Sequence, residues 1–461
     1  MTPSQELACF AAQLHCADIP TGVLESAKRH LLDAIGLGVL GSAQPMPRNA
    51  LAGILAMPGA AGSARVWGTA TTLAAPYAAL ANGIACHAAD FDDTHTVAIV
   101  HGSAILAPTL LALGEHHGSS GSDVLAAFVA GWEVAARIGI AARGTIHRQG
   151  YHTTSIAGVF GAAVAAGKLL GLSHEEMAHA MGLAGSQASG INEYQINGSS
   201  AKILHTGWAA HAGIVAAYLA KGGMTGPLTV LEGGAGILAT HGLLADSDTA
   251  ALTRGLGRDW EMSMVSIKPY PCCHFLHGFI DCALGLRRHG IAVGEIDEIE
   301  AIVPAVEVPF ICEPAALRAH PVTPYIAKFS LPLTVAAALI DGAVDHKTFT
   351  SDYLRREDAL TLAKRVRYRV AGPDETTFPT YYPGWLRMRL RDGRLLEERL
   401  DINRGSPGNP LSQDEVARKW RENADGVLPP AAIDELLAAV SSMERKPIAA
   451  VVRCLAAAAA H

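Results

Sequence analysis

The chain has 461 residues, half of them hydrophobic and 17% charged, with a formal net charge of −7. That length exceeds what a single core usually serves, so two domains are expected. No long basic or acidic run is present, which argues against nucleic acid or an anionic membrane as a partner but leaves small anionic substrates open.

In chain order, segments 21–41, 73–88, 103–117, 122–142, 153–170, 174–189 and 200–221 carry apolar residues at three- and four-residue spacing and predict helices. Gly171 closes one of them, and Ser173 with Glu176 forms a capping box for the next. The run of small residues from Gly161 to Gly167 suits close helix–helix approach. After Trp260 the texture changes. Residues 298–303 and 364–370 alternate with period two, and 385–400 alternates about Asp392-Gly393, which predicts a hairpin with a type I′ turn. Residues 330–339 read as a helix between them. Arg404 to Leu411 reads as a linker. Ser412 to Glu415 then caps a new helix, and 430–442 and 446–460 are helical again, with the Ala-rich texture of the first half. The fold class expected is mainly α with an α+β second domain. A large all-helical domain (1–265, with 405–461 returning to it) accompanies a smaller α+β domain (266–404).

Four segments carry chemistry. Residues 87–101 pack three acids, three imidazoles and two threonines into fifteen positions, a density that costs free energy unless the groups are paired or used. Gly150 to Ser155 places Tyr151, His152 and hydroxyls at a helix start, where free N–H groups suit a carboxylate or an ordinary cap. Lys202 sits in an otherwise apolar helix, with His205 on roughly the same face. Such a lysine either snorkels or faces a cleft, where it can bind a carboxylate or transfer a proton. Lys268 to His277 includes Cys272, Cys273, His274 and His277. Two histidines three apart, without a further ligand at fixed spacing, are a thin basis for a metal. A cysteine nucleophile lacks the flanking signature of known cysteine hydrolases. The eight cysteines include no Cys-x-x-Cys, which speaks against a zinc ribbon or a familiar iron–sulfur spacing and fits buried free thiols. No phosphate loop, dinucleotide fingerprint or Gly-x-Ser-x-Gly elbow occurs. The N-terminus has no secretory pattern, and apolar stretches are broken before about 18 residues, so a cytoplasmic protein is expected.

These motifs, in this order, resemble the MmgE/PrpD family, which contains 2-methylcitrate dehydratase, cis-aconitate decarboxylase and iminodisuccinate epimerase. The matching pieces are Asn82 to His87, Asp90 to Thr94, His101 to Ser103, Tyr151-His152, Gly161 to Leu172, Lys202 to His205, Lys268 to Cys273, His277 and Lys328 to Ser330. The resemblance implies a helical domain and a smaller α+β domain with a site between them, usually in a homodimer. It also implies chemistry on small polycarboxylates with no metal and no cofactor. Carried over by motif, Asp90, His101, His152 and Lys202 are the catalytic candidates. Thr94, Tyr151, Ser155, Lys268, Cys273 and His277 are the substrate-binding ones. Asp92, His87 and His95 are expected to be structural.

The chain departs from the pattern at four places. Cys273 stands where the family's cis-aconitate decarboxylases carry histidine, and the segment from Val303 to Pro314 lacks the tyrosine they place there. Gly102 replaces a frequent proline, and Trp208 a frequent arginine. The reading that results is a lyase that removes a proton α to a carboxylate and eliminates water from a hydroxy di- or tricarboxylate. In it Lys202 and Lys268 stabilise the enediolate, His101 or His152 moves the proton, and Asp90 orients a ring. An epimerase of an amino- or imino-dicarboxylate is the alternative, ahead of a decarboxylase or a catalytically silent binding protein.

Overall fold

The computed structural model describes residues 1–456, without the side chain of Asn197. Its chain falls into two compact units, one formed by Met1–Ile267 with the segment from Ser412 onward, the other by Lys268–Leu411.

In the Met1–Ile267 part of the first unit the helices of eight or more residues are α1 (Pro3–Gln13), α2 (Thr21–Ser42), α3 (Pro45–Leu55), α4 (Ala75–His87), α5 (Ser103–His117), α6 (Gly121–Ala142), α7 (Thr153–Leu170), α8 (His174–Gly185) and α9 (Ala201–Lys221). Two-residue strands β3 (Thr94–His95) and β4 (Val265–Ser266) pair antiparallel, after a small ladder of β1 (Ala61–Arg65) and β2 (Thr72–Leu73). Helices α6 and α7 are long and apolar enough to cross a membrane, but nearly all of each is buried against other helices of the unit. Small residues make that packing possible. A side chain at Gly161 would lie 2.7 Å from the carbonyl oxygen of Gly131, so α6 and α7 touch backbone to backbone.

The second unit contains α10 (His277–Arg287), α11 (Leu331–Asp341) and a mixed four-stranded sheet of order β6-β5-β7-β8. Its strands are β5 (Ile296–Val303), β6 (Val366–Val370), β7 (Gly384–Leu390) and β8 (Leu395–Leu400). Strand β5 runs parallel to β6 and antiparallel to β7, and β7 pairs with β8 as a hairpin. One face of the sheet packs on α10 and α11 around Phe279, Leu333 and Leu386. The hairpin turn corrects the expectation of type I′. Gly393 takes a positive φ of 91°, but Asp392 does not; its carboxylate accepts from the Arg394 N–H at 3.0 Å instead. A type I′ turn needs positive φ at both central residues.

The segment 404–411, read as a linker, belongs to the second unit and closes on itself through Ser406 and Asn409. From Ser412 the chain rejoins the helical unit with α12 (Gln413–Ala424), which packs on α2, and α13 (Pro430–Ser441). The helix expected over 446–460 is a short turn at Ala449–Val452 followed by a 3-10 turn at Arg453–Leu455, and 457–460 lie outside the described residues.

Candidate functional site

Helices α4 and α9 cross at two glycines. A Cβ on Gly83 would sit 2.6 Å from the Gly207 Cα, and one on Gly207 would sit 2.3 Å from the Leu80 oxygen. Thr206 donates its hydroxyl to the Gly83 carbonyl at 2.7 Å, sealing the contact. This crossing sets the first turns of α9, with Lys202 and His205, beside the C-terminal end of α4 and the loop that follows it.

In that loop Asp90 adopts a left-handed backbone (φ 54°), which aspartate tolerates better than most residues. Its carboxylate lies 2.9 Å from Lys202 Nζ, and both side chains are nearly buried. The acid expected to orient an imidazole thus pairs with the lysine. The rings are held by its neighbours. Asp92 takes His87 Nδ1 at 2.7 Å, and Asp93 takes His30 Nδ1 at 2.7 Å while accepting from the Ser103 hydroxyl. His101 Nδ1 lies 2.7 Å from the Asp93 carbonyl oxygen and 3.1 Å from the Thr94 hydroxyl. A carbonyl only accepts, so His101 carries its proton on Nδ1 and the lone pair on Nε2. His95 bonds Glu261 at 3.1 Å, a contact that fastens the loop.

The return of the loop is strained. Ile99, a β-branched residue, has φ 58°, a conformation worth about 1–3 kcal/mol that only surrounding contacts can hold. The Thr154 hydroxyl supplies such contacts, donating to Ile99 O at 3.4 Å and accepting from His101 N at 3.2 Å. The hydroxyls at the start of α7 therefore build the site. Ser155, expected to reach substrate, donates to the His205 carbonyl at 3.2 Å. Tyr151 lies against His241, ring centroids 4.7 Å apart.

Four imidazoles converge in this unit. His152 Nδ1 and His205 Nδ1 are 3.0 Å apart, so one must donate and the other accept. His87 stacks on His152 at 5.7 Å and tilts against His101 at 5.4 Å. Tyr194 stands edge-on to both His152 and His205. Burial, reinforced by His87, His205 and Lys202, holds His152 well below the usual imidazole range. Burial, with His87 and Lys202, brings His205 down to about 4. Both rings are neutral at pH 7, the form that can accept a proton. Sequence reasoning noted His205 only as a neighbour of Lys202, and Tyr194 not at all. The three-residue spacing to Lys202 is the signal for His205; Tyr194 opens a single helical turn, Tyr194–Asn197, too short for its sequence to give one.

The second unit gathers the other candidates. Lys268 is buried, His277 is fully buried with Nε2 3.3 Å from the Cys272 oxygen, and Cys273 is half-buried with its N–H on the Lys328 carbonyl. His274 and His277 lie 4.8 Å apart between ring centroids, and Asn403 donates to His274 Nε2 at 3.1 Å. Among the described residues no group of three or more His, Cys, Asp or Glu side chains is placed to hold a metal. Glu307 of this unit is fully buried, and neither carboxylate oxygen has a hydrogen-bond partner. Burial pushes it well above the usual carboxylate range.

Residues 5–247 match the MmgE/PrpD N-terminal domain and residues 270–445 the MmgE/PrpD C-terminal domain. The chain is similar to the cis-aconitate decarboxylase of Mus musculus, 30% identical over 451 residues, covering 94% of this chain and 90% of that protein. The cis-aconitate decarboxylase of Homo sapiens is 30% identical over 450 residues, with 94% and 91% covered. That of Aspergillus terreus is 27% identical over 465 residues, with 96% and 93% covered.

Proposed function

This chain belongs to the MmgE/PrpD family, and we propose that it is a lyase that removes a proton beside a carboxylate of a small di- or tricarboxylate and expels water from the neighbouring carbon. The observation that carries this reading is the conjunction, in one unit, of the Lys202–Asp90 ion pair with imidazoles held neutral. A carbon acid next to a carboxylate is weak, so its removal needs a base and a cation that balances the enediolate charge. His101 Nε2 serves as the base. Lys202 shifts from Asp90 toward the substrate carboxylate. His152, neutral and beside His101, relays that proton to the departing hydroxyl, which leaves as water. The reading uses side chains alone, and the protein is expected to work as a cytoplasmic homodimer.

A second reading is loss of carbon dioxide, favoured by the names of the similar proteins. Cys273 and the tyrosine-free segment from Val303 to Pro314 favour water. The test is incubation with hydroxy-tricarboxylates, hydroxy-dicarboxylates, cis-aconitate and an imino-dicarboxylate in heavy water. A new ultraviolet-absorbing alkene without carbon dioxide supports the first reading. Carbon dioxide release supports the second. Hydrogen exchange with inversion and no alkene would overturn both in favour of an epimerase.

A further inference from the structure

His87 ends α4 with its side chain wholly buried. Its Nδ1 donates to Asp92 Oδ2 at 2.7 Å, and its Nε2 has no hydrogen-bond partner. A histidine kept only for packing would satisfy that nitrogen or be replaced by an apolar residue, because an unmet buried polar atom destabilises the fold. Here the ring instead lies against the two imidazoles read above as proton carriers, stacked on His152 and tilted against His101. Asp92 also comes within 3.9 Å of His101 Nδ1.

We propose that Asp92 and His87 form a positioning dyad that sets the charge state of His101 and His152. Asp92 fixes the tautomer and plane of His87, and His87 presents a chargeable ring to both carriers. Any proton on it opposes a second on its neighbours, at distances where water does not screen the repulsion. The low proton affinity of His152 and His205, to which His87 contributes after burial, agrees with this. Other charged and titratable groups share this field: after burial, His87 and Lys202 together lower His152 and His205, and Asp92, Asp33 and Asp93 act jointly on the buried Cys86 thiol. Neither His87 nor Asp92 is required to touch substrate.

The inference rests on the reading of His101 and His152 as proton carriers, and the pH–rate profile of turnover in Asp92→Asn and His87→Gln tests it. Removing the anion makes the carriers harder to protonate, so the acid limb of Asp92→Asn should move to lower pH. Removing the chargeable ring should move that of His87→Gln to higher pH, each by roughly one unit. Folded variants whose limbs stay at the wild-type midpoint, with only the amplitude reduced, would overturn the proposal. Should either variant not fold, imidazole NMR titration of the wild-type protein decides. The His87, His101 and His152 signals should titrate in shared, multiphasic steps; independent single-step curves would overturn the dyad. That titration needs no substrate, so it stands apart from a failure of the lyase reading, which would show as no carboxylate turned over by the wild type.

Discussion

At the scale of residues, the site depends on pairing charges that would otherwise be costly to bury. Lys202 and Asp90 neutralise each other, and two consecutive loop residues, Asp92 and Asp93, hand three oxygens to three different rings. A lysine among apolar helical residues was a readable signal, because burial demands a partner. The partner itself was not readable, since any of three loop acids has the chemistry and only the positive φ of Asp90 turns that one toward α9. Glu307 follows the opposite logic. It is buried without a hydrogen-bond partner and stays protonated in the fold, so the folded state binds a proton that the unfolded chain releases above its ordinary pKa of about 4.3. Its contribution is therefore present below that pH and is lost as pH rises above it. Glu307→Gln should raise Tm at pH 7, with the gain shrinking toward pH 4. An equal gain at both pH values in thermal unfolding would show that ionisation is not the cause.

At the scale of elements, the site is made by the α4–α9 crossing. Its closeness depends on glycine at two facing positions, where a single methyl would meet backbone atoms that cannot yield. Gly207→Ala should destabilise the protein by about 1–3 kcal/mol, the usual cost of overpacking. It should also reduce turnover more than substrate binding, by displacing Lys202 and His205 from the loop. Denaturant unfolding and kcat measured together check this; an alanine variant with normal stability and kcat would mean that the helices need not touch. Much of this level was legible. The helix predicted over 153–170 spans Thr153–Leu170, and that over 103–117 spans Ser103–His117, because both are apolar nearly all round. The helix expected to reach 189 stops at Gly185, giving way to irregular chain in which Gly190 takes φ 121° and hands its carbonyl to His152 N. Helix α3 left no apolar period to read, since it buries only Pro47 and Ile54.

At the scale of the molecule, the C-terminal segment returns to support the site loop from behind. Lys419 of α12 lies 2.7 Å from the buried Asp33 of α2, donates to the Phe91 carbonyl at 3.1 Å and stands 3.7 Å from the Phe91 ring centroid. Lys419→Ala should cost about 3–5 kcal/mol, because it strands a buried carboxylate. It should also lower activity through the loop that carries Asp90 and Asp92. Loss of activity at unchanged stability would assign Lys419 a different role. The Ala-rich texture past residue 412 pointed to this return. The lysine contact was beyond sequence reasoning, because it joins positions 386 and 328 residues apart from Asp33 and Phe91, a separation at which local pattern carries no information.

The central claim is that His101 and Lys202 together remove a proton beside a carboxylate. Loss of deuterium from a carboxylate labelled at the carbon next to the carboxylate group, followed by NMR in the wild type, His101→Ala and Lys202→Ala, tests it most directly. The expected result is release of that label to solvent as the alkene forms with the wild type, and a rate reduced about 100-fold or more in each variant. Folded variants that lose the label at the wild-type rate would contradict it.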